Sequence, residues 1–347
     1  MIRKILKEWL LIATIIGVIT TSLILKRFPL YSKNDFEILF ILFTLFIIVK
    51  GIENSNFFKK IETFVTYDRF LPFKLVTITA ILSMIVTNDV ALLIIVPLTL
   101  TLEIKNKGFV VILEALSANA GSALTPFGNP QNMFIYWFYH LNFLEFLKTI
   151  YPFTVFSLIL IFIMSFFVST PKIEKEIKLK EEKISKELYI YFTFLVMFIL
   201  VIFHILPIWT GIFPVLYTLF FSRKNFKIDY VLLATFFFFF GFTDNLKVLI
   251  NLKLNTTGHV FLLSAFLSQF ISNVPAALIF SDFTKNWQAL LWGVNVGGYG
   301  NIIGSLANLI AYRFYVNRYD DKRYFIKFNL LCTIFFILNI LFFYKIH

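Results

Sequence analysis

Apolar residues along this 347-residue chain collect in long runs separated by short polar stretches. The runs over 9–25, 36–49 and 188–206 reach or approach the roughly 20 residues that cross a bilayer core. The pattern predicts nine full crossings near 8–25, 36–50, 108–140, 149–169, 188–206, 208–222, 229–243, 287–316 and 324–344, the third and eighth interrupted. Two further apolar segments, 73–104 and 259–284, carry a polar kink at their centre, at Thr87, Asn88 and Asp89 and at Ser272, Asn273, Val274 and Pro275. They read as re-entrant hairpins, the alternative being single kinked spans, because two hairpins keep positive charge sorted to one side. The strongly hydrophilic stretch 171–187 places Lys and Glu three or four residues apart, as on a solvated helix. It reads as a cytoplasmic linker between an N-terminal unit, 1–170, and a C-terminal unit, 188–347.

Composition agrees with that pattern: 59% of residues are hydrophobic and 15% charged, against roughly 25% charged in soluble domains. The net charge of +12 does not point to nucleic acid. With the N-terminus inside, 24 of the 32 Lys and Arg residues fall in inner segments and 8 in outer ones, so the charge reports topology. The expected setting is the cell membrane, with the bilayer as partner, the N-terminus cytoplasmic and the C-terminus outside. Arg3, Lys4 and Lys7 precede the first run as in a signal peptide. No small-x-small cleavage site follows, and the run is kept as a span. Cys332 is the single cysteine and there are four scattered His, which offer neither a nucleophile–base pair nor a soft-metal site, so no enzyme is expected.

The chain also repeats itself. Asn119 and Gly121, followed by Gly128 and Asn132, align without a gap to Asn295 and Gly297, followed by Gly304 and Asn308. Upstream of each set lies a hairpin with an Asn at its kink, Asn88 or Asn273. Further upstream lie Gly51 to Asn54 and Gly241 to Asp244. Five crossings separate the second span from its counterpart, the seventh, so the units run in opposite directions. The expected fold class is therefore an all-α polytopic membrane protein with inverted structural repeats, each holding a re-entrant hairpin and a broken transmembrane helix. Such repeats bring their sites together near the midplane.

The chemistry at these positions suits translocation. Unsatisfied backbone groups cost several kcal/mol each in lipid, so the irregular stretch from Gly121 to Pro130, with Pro126 and Gly128, must line protein or water. The same holds for Gly297, Gly298 and Gly300. Broken helices expose N–H groups that attract anions and carbonyls that can coordinate Na⁺. The neutral ligands are the amides of Asn88, Asn119, Asn129, Asn132, Asn273, Asn295 and Asn308 and the hydroxyls of Thr87, Ser122, Thr125, Ser272 and Ser305. Na⁺ is expected at Asn88 and Asn273. Intramembrane carboxylates are functional candidates by default. Asp89, where the second unit has Val274, could carry a proton, bind a cation or cap the helix that follows. Glu114 could relay protons or pair with an inner-side Lys.

The segments Thr87–Leu93 and Thr125–Asn132, with 272–277 and 293–298, resemble the motifs of the ion transporter superfamily. That group includes arsenite permeases, certain Na⁺/H⁺ antiporters, citrate carriers and divalent-anion symporters, and the likeness is greatest to the arsenite-permease-like branch. The resemblance covers the chain from about Gly51 onward. It implies that the hairpin tips at 87–89 and 272–274 meet substrate and Na⁺, and that a rigid transport unit moves against a scaffold, often within a homodimer. Asp89 and Val274 replace the Thr of the symporter tips, which argues against a dicarboxylate. The expected function is ion-coupled transport, by H⁺ or Na⁺, of a small inorganic or carboxylate anion or oxyacid, without a further cofactor. The alternative is a Na⁺/H⁺ antiporter using Asp89 and Glu114; a channel fits inverted hairpins less well.

Overall fold

The computed structural model describes residues 9–57, 70–168, 185–250, 254 and 256–346. Most of the expected linker, 171–184, lies outside these residues. Among the described residues there are fifteen α-helices, two short 3₁₀ turns and no strand. In chain order the helices are α1 (Trp9–Leu25), α2 (Lys33–Glu53), α3 (Leu71–Ile85), α4 (Asn88–Thr101), α5 (Lys107–Ala123), α6 (Pro130–Phe138), α7 (Phe143–Phe166), α8 (Glu187–Ile202), α9 (Ile212–Phe221) and α10 (Tyr230–Leu249). The remainder are α11 (Thr257–Ile271), α12 (Asn273–Ser281), α13 (Trp287–Gly297), α14 (Leu306–Val316) and α15 (Tyr324–Ile346).

The helices are interrupted where polar or helix-breaking residues fall within the apolar runs. Segment 73–104 is split into α3 and α4 at Val86 and Thr87, and 259–284 into α11 and α12 at Ser272. The third predicted span divides into α5 and α6 across residues 124–129, and the eighth into α13 and α14 across 298–305. The span expected over 208–222 starts differently. Pro207 is followed by a 3₁₀ turn, Ile208–Gly211, which leaves only ten residues for α9. Three described helices, α7, α10 and α15, are each long and apolar enough to cross a membrane. The 24 residues of α7 span about 36 Å, at ~1.5 Å per residue.

Large apolar side chains stand exposed along the outer faces, among them Ile16, Ile19 and Leu23 of α1, Phe220 of α9 and Leu330 and Leu341 of α15. An apolar exterior of this kind marks a surface made for lipid. Inside, every residue of α5 from Val110 to Ala123 is buried, as is every residue of α13 from Ala289 to Gly297. Both inner helices carry Gly, Ala and Ser, which let backbones approach closely in the absence of a hydrophobic driving force between helices. The helices form two groups. Helices α1, α2, α8, α9 and α10 pack on one another, while α3–α7 and α11–α15 pack together. The groups touch where α6 meets α2 and α12 meets α10. Phe236 and Phe240, from the Phe-rich tract, lie against Phe134 of α6 at that boundary, with ring centroids 6.5 and 6.0 Å away.

The upstream elements of the repeat serve this scaffold. Asn54 Nδ2 donates to Asn225 Oδ1 (2.7 Å), whose own amide donates to the Tyr191 hydroxyl (2.7 Å). Asp244 accepts from the Arg27 guanidinium and from the Leu30 amide (2.8 Å), and Asn245 accepts from Arg27 Nε (3.0 Å). The Asp244 and Asn245 bonds tie the α1–α2 connection to α10. They lie away from the hairpin tips.

Candidate functional site

Each hairpin tip is held to the break of its own half by one backbone bond. Asn88 N–H donates to the Gly128 carbonyl (3.1 Å), and Asn273 N–H donates to the Gly304 carbonyl (3.0 Å). The breaks are fastened to the preceding arms in matching fashion. Thr125 Oγ1 donates to the Met84 carbonyl (2.9 Å), and Asn301 Nδ2 donates to the Gln269 carbonyl (3.1 Å). Gly128 and Gly304 are required by crowding. A Cβ on Gly128 would stand 2.8 Å from Ser122 Cα, and one on Gly304 would stand 2.6 Å from the Gly297 carbonyl.

The two halves then exchange bonds. Asn119 Nδ2 donates to Asn308 Oδ1 (2.9 Å), and Asn295 Nδ2 donates to Asn132 Oδ1 (2.8 Å). The first Asn of each half therefore meets the second Asn of the other. Around Asn119 gather Asn88 Nδ2 (3.2 Å) and Ser305 Oγ (3.0 Å), both donating to its Oδ1. The Gly298 carbonyl accepts from Asn308 Nδ2 (2.8 Å) and Asn119 Nδ2 (3.4 Å). A Cβ on Gly298 would lie 3.2 Å from Asn273 Nδ2, so the second tip reaches the same place. Asn88, Asn119, Asn273, Asn295 and Asn308 are all buried.

Beside this centre, Asn129 Nδ2 donates to Ser122 Oγ (3.1 Å), Ser122 Oγ donates to the Asn119 carbonyl (3.2 Å), and Asn132 Nδ2 donates to the Ala123 carbonyl (3.0 Å). Asn129 and Ser305 also cap α6 and α14 by accepting from Asn132 N–H (2.9 Å) and Ala307 N–H (3.3 Å). Four half-helix starts, those of α4, α6, α12 and α14, thus converge with the carbonyl ends of α5 and α13. The arrangement offers positive N-terminal ends to an anion and carbonyl or amide oxygens to a hard cation. Among the described residues there is no group of His, Cys, Asp and Glu able to hold a metal ion.

The carboxylates do not behave as one set. Thr87, not Asp89, caps α4, its Oγ1 accepting from Val90 N–H (3.4 Å) over an extended backbone. Asp89 N–H donates to Asn88 Oδ1 (2.9 Å), while Asp89 Oδ1 is buried without a partner. At the second tip Ser272 takes a left-handed conformation, φ 75°, and makes no side-chain cap bond. Glu114 lies apart from the tips and accepts from Thr99 Oγ1. The inner-side partner considered for it, Lys107, instead donates to the Leu100 carbonyl (3.3 Å) and the Tyr319 hydroxyl (3.1 Å).

Asn301, Gln269 and two close helix approaches escaped the sequence reading. Gln269 Nε2 donates to the Gly297 carbonyl (2.8 Å), where the first half has Met84. Gly121 fits against Ala80 and Ser83 of α3, and Gly297 against Ala265 and Ser268 of α11. The recurrence of Ala-x-x-Ser ahead of both kinks is the signal that would have found these approaches.

An all-helical chain with a lipid-facing exterior, whose interrupted helices turn their polar ends toward one another inside, is a multi-pass membrane transporter. Residues 2–294 match the family model described as citrate transporter, and the chain belongs to that family. It is 35% identical over 312 residues to an uncharacterized transporter of Methanocaldococcus jannaschii, covering 86% of each chain. It is 33% identical over 328 residues to the inner membrane protein YbiR of Escherichia coli, covering 88% of this chain and 85% of that one. A shorter stretch of 130 residues, 35% of this chain and 27% of the relative, is 31% identical to a silicon efflux transporter of rice. The resemblance to the ion transporter superfamily is thereby upheld, and the chain is a transporter and not an enzyme.

Proposed function

We propose that this protein is an ion-coupled secondary carrier that moves a small anion or oxyacid across the cell membrane by alternating access. In this reading α3–α6 and α11–α14 are inverted repeats whose hairpins enter from opposite sides, with the N-terminus cytoplasmic. Substrate sits where Asn88, Asn119, Asn273, Gly298 and Asn308 meet, and Thr87, Ser272 and the half-helix starts complete its surroundings. The bundle α3–α7 and α11–α15 carries that site past the scaffold α1, α2 and α8–α10. The observation that supports it most is the exchange of bonds between Asn119 and Asn308 and between Asn295 and Asn132. Neither half builds the site alone. Membership of the citrate transporter family supports a carboxylate anion, and the rice silicon efflux transporter supports a small oxyacid.

The test is flux into proteoliposomes holding the full chain, with radiolabelled citrate and with silicic acid, under imposed pH and Na⁺ gradients. Gradient-driven accumulation of either solute is expected. Na⁺-dependent proton movement without any added anion, and no accumulation of either solute, would instead establish the Na⁺/H⁺ antiporter. Two unpartnered or singly partnered carboxylates, Asp89 and Glu114, favour that second reading.

A further inference from the structure

Glu114 belongs to none of the bonds that join the hairpin tips. It lies in the middle of α5, on a residue with no solvent exposure, and its Oε1 accepts from Thr99 Oγ1 of α4 while its Oε2 is buried without any partner. The second half has Leu290 at the matching position, so the repeat does not duplicate this carboxyl. The charged and titratable groups around it are few. On its own helix Lys107 is spent on the Leu100 carbonyl and the Tyr319 hydroxyl. Helix α4 presents Thr99 and ends before Glu103. Helix α14 carries Tyr312, Arg313 and Tyr315, and α15 contributes Tyr324, whose hydroxyl donates to the Gly108 carbonyl (3.1 Å). Apart from Thr99, no group on these helices, and no Lys, Arg or His among the described residues, is hydrogen-bonded to the carboxyl.

An ionised carboxylate held this way would cost several kcal/mol even after relaxation. The neutral acid is the form that this packing tolerates. Polar groups also lie between the acid and one face. Leu100, next to Thr99, offers its carbonyl to Tyr319 Oη (3.3 Å) and Lys107 Nζ, and Lys107 lies seven residues before Glu114 on the same face of α5. That is about two helical turns, or ~10 Å. Polar groups thus run from the buried acid to the side on which Lys105 and Lys107 stand, the inner side by the sorting of charges.

We propose that Glu114 is the proton-carrying site of this carrier, separate from the substrate centre, with H⁺ as the coupling ion. The proposal rests on the reading of the chain as an ion-coupled carrier. The acid is neutral in the conformation described, releases its proton to inner-side water along the Thr99, Leu100 and Tyr319 side when the bundle shifts, and takes up another proton from water on the opposite side before the next cycle. No other bond is made or broken.

Two measurements on the full chain test it. In proteoliposomes with citrate as probe, Glu114→Gln should lower the ratio of pH-gradient-driven accumulation to equal-concentration exchange at least about tenfold. Retention of the wild-type ratio would overturn the proposal. If citrate is not carried at all, the substrate reading has failed but Glu114 remains testable by infrared spectroscopy. Purified wild-type protein should show the carbonyl stretch of a neutral carboxylic acid at pH 7, and the component lost in Glu114→Gln should persist in Asp89→Asn. A band left unchanged by Glu114→Gln would assign the neutral acid elsewhere and end the idea. Should Glu114→Gln fail to fold, Thr99→Val removes the acid's single hydrogen-bond partner. The pH midpoint of the band must then move, and an unmoved midpoint counts against Glu114.

Discussion

The arms around the first break and those around the second are fastened by equivalent bonds but differ in the groups they expose. In both, a tip Asn bonds the Gly carbonyl of its own break, at 3.1 and 3.0 Å, and a residue six places after the first Asn ties the break to the preceding arm. Where chemistry enters, the halves diverge. The first has Thr87 as a cap, Asp89 beside it and Glu114 behind it, whereas the second has a strained Ser272, Val274 and Leu290. The second gains Gln269 in place of Met84. Shared bonds therefore define the framework, and the unshared residues are where charge can be coupled to movement.

Breaking the shared framework should have the largest effect. Asn119 donates to Asn308 and accepts from Asn88 and Ser305, so Asn119→Leu would leave three buried polar groups short of a partner. Each unsatisfied group costs about 1–3 kcal/mol, and interhelical hydrogen bonds inside a membrane average less, so a net loss of roughly 2–4 kcal/mol is expected. Transport should fall at least about a hundredfold, since the group lost is both a support and a ligand of the proposed centre. Asn295→Leu should be milder, because Asn295 pairs with Asn132 away from the tips. Thermal unfolding in detergent and flux in liposomes would check both, and equal losses of transport would show that the two Asn pairs are interchangeable.

The glycines at the close helix approaches distinguish the halves by a smaller margin. A Cβ on Gly121 would press on Ala80 backbone, 2.9 Å from its Cα, which cannot yield without moving α3. A Cβ on Gly297 would meet chiefly the Ser268 side chain at 2.5 Å, with the Ala265 carbonyl at 3.1 Å. Overpacking of this kind costs about 1–3 kcal/mol. Gly121→Ala should fall at the upper end and Gly297→Ala at the lower, as a difference of several degrees in Tm. Adding Ser268→Ala should recover part of the Gly297→Ala loss, while Ser83→Ala should recover little of the Gly121→Ala loss.

Much of this framework was legible before any coordinates, and the reason is physical. A polar residue in the middle of an apolar run, or Gly and Pro within one, must interrupt a helix, so the kinks at Asn88 and Asn273 and the breaks around Gly128 and Gly304 announced themselves. The gap-free match of the Asn positions also named the residues that meet. Their partners were not legible, because the bond from Asn119 to Asn308 depends on how α14 seats on α4 and α5, and no local pattern records that. Gln269 and Asn301 escaped for the same reason, and Ala80 and Ser83 because small residues inside a run read as part of its bulk. The short α9 was not legible either: the 3₁₀ turn that shortens it begins directly after Pro207, five residues beyond the end of α8.

The charged difference between the tips gives the subtlest test. Asp89 lies in the first turn of α4 and, unlike Glu114, is only partly buried, so that when ionised its carboxylate is favoured by the helix dipole and adds negative charge beside the place proposed for an anion. Asp89→Asn keeps the size of the side chain and removes that charge. If Glu114 alone carries the proton, the variant should retain the pH dependence of citrate uptake, and its apparent KM should fall by roughly threefold as repulsion is relieved. Stability should change little, since Thr87 and not Asp89 caps the helix. Val274→Asp places the same charge on the opposite tip and should raise KM. If instead Asp89→Asn abolished the pH dependence and left KM unchanged, the coupling charge would sit at the tip itself, and the distinction drawn here between a substrate centre and a separate proton site would collapse into one.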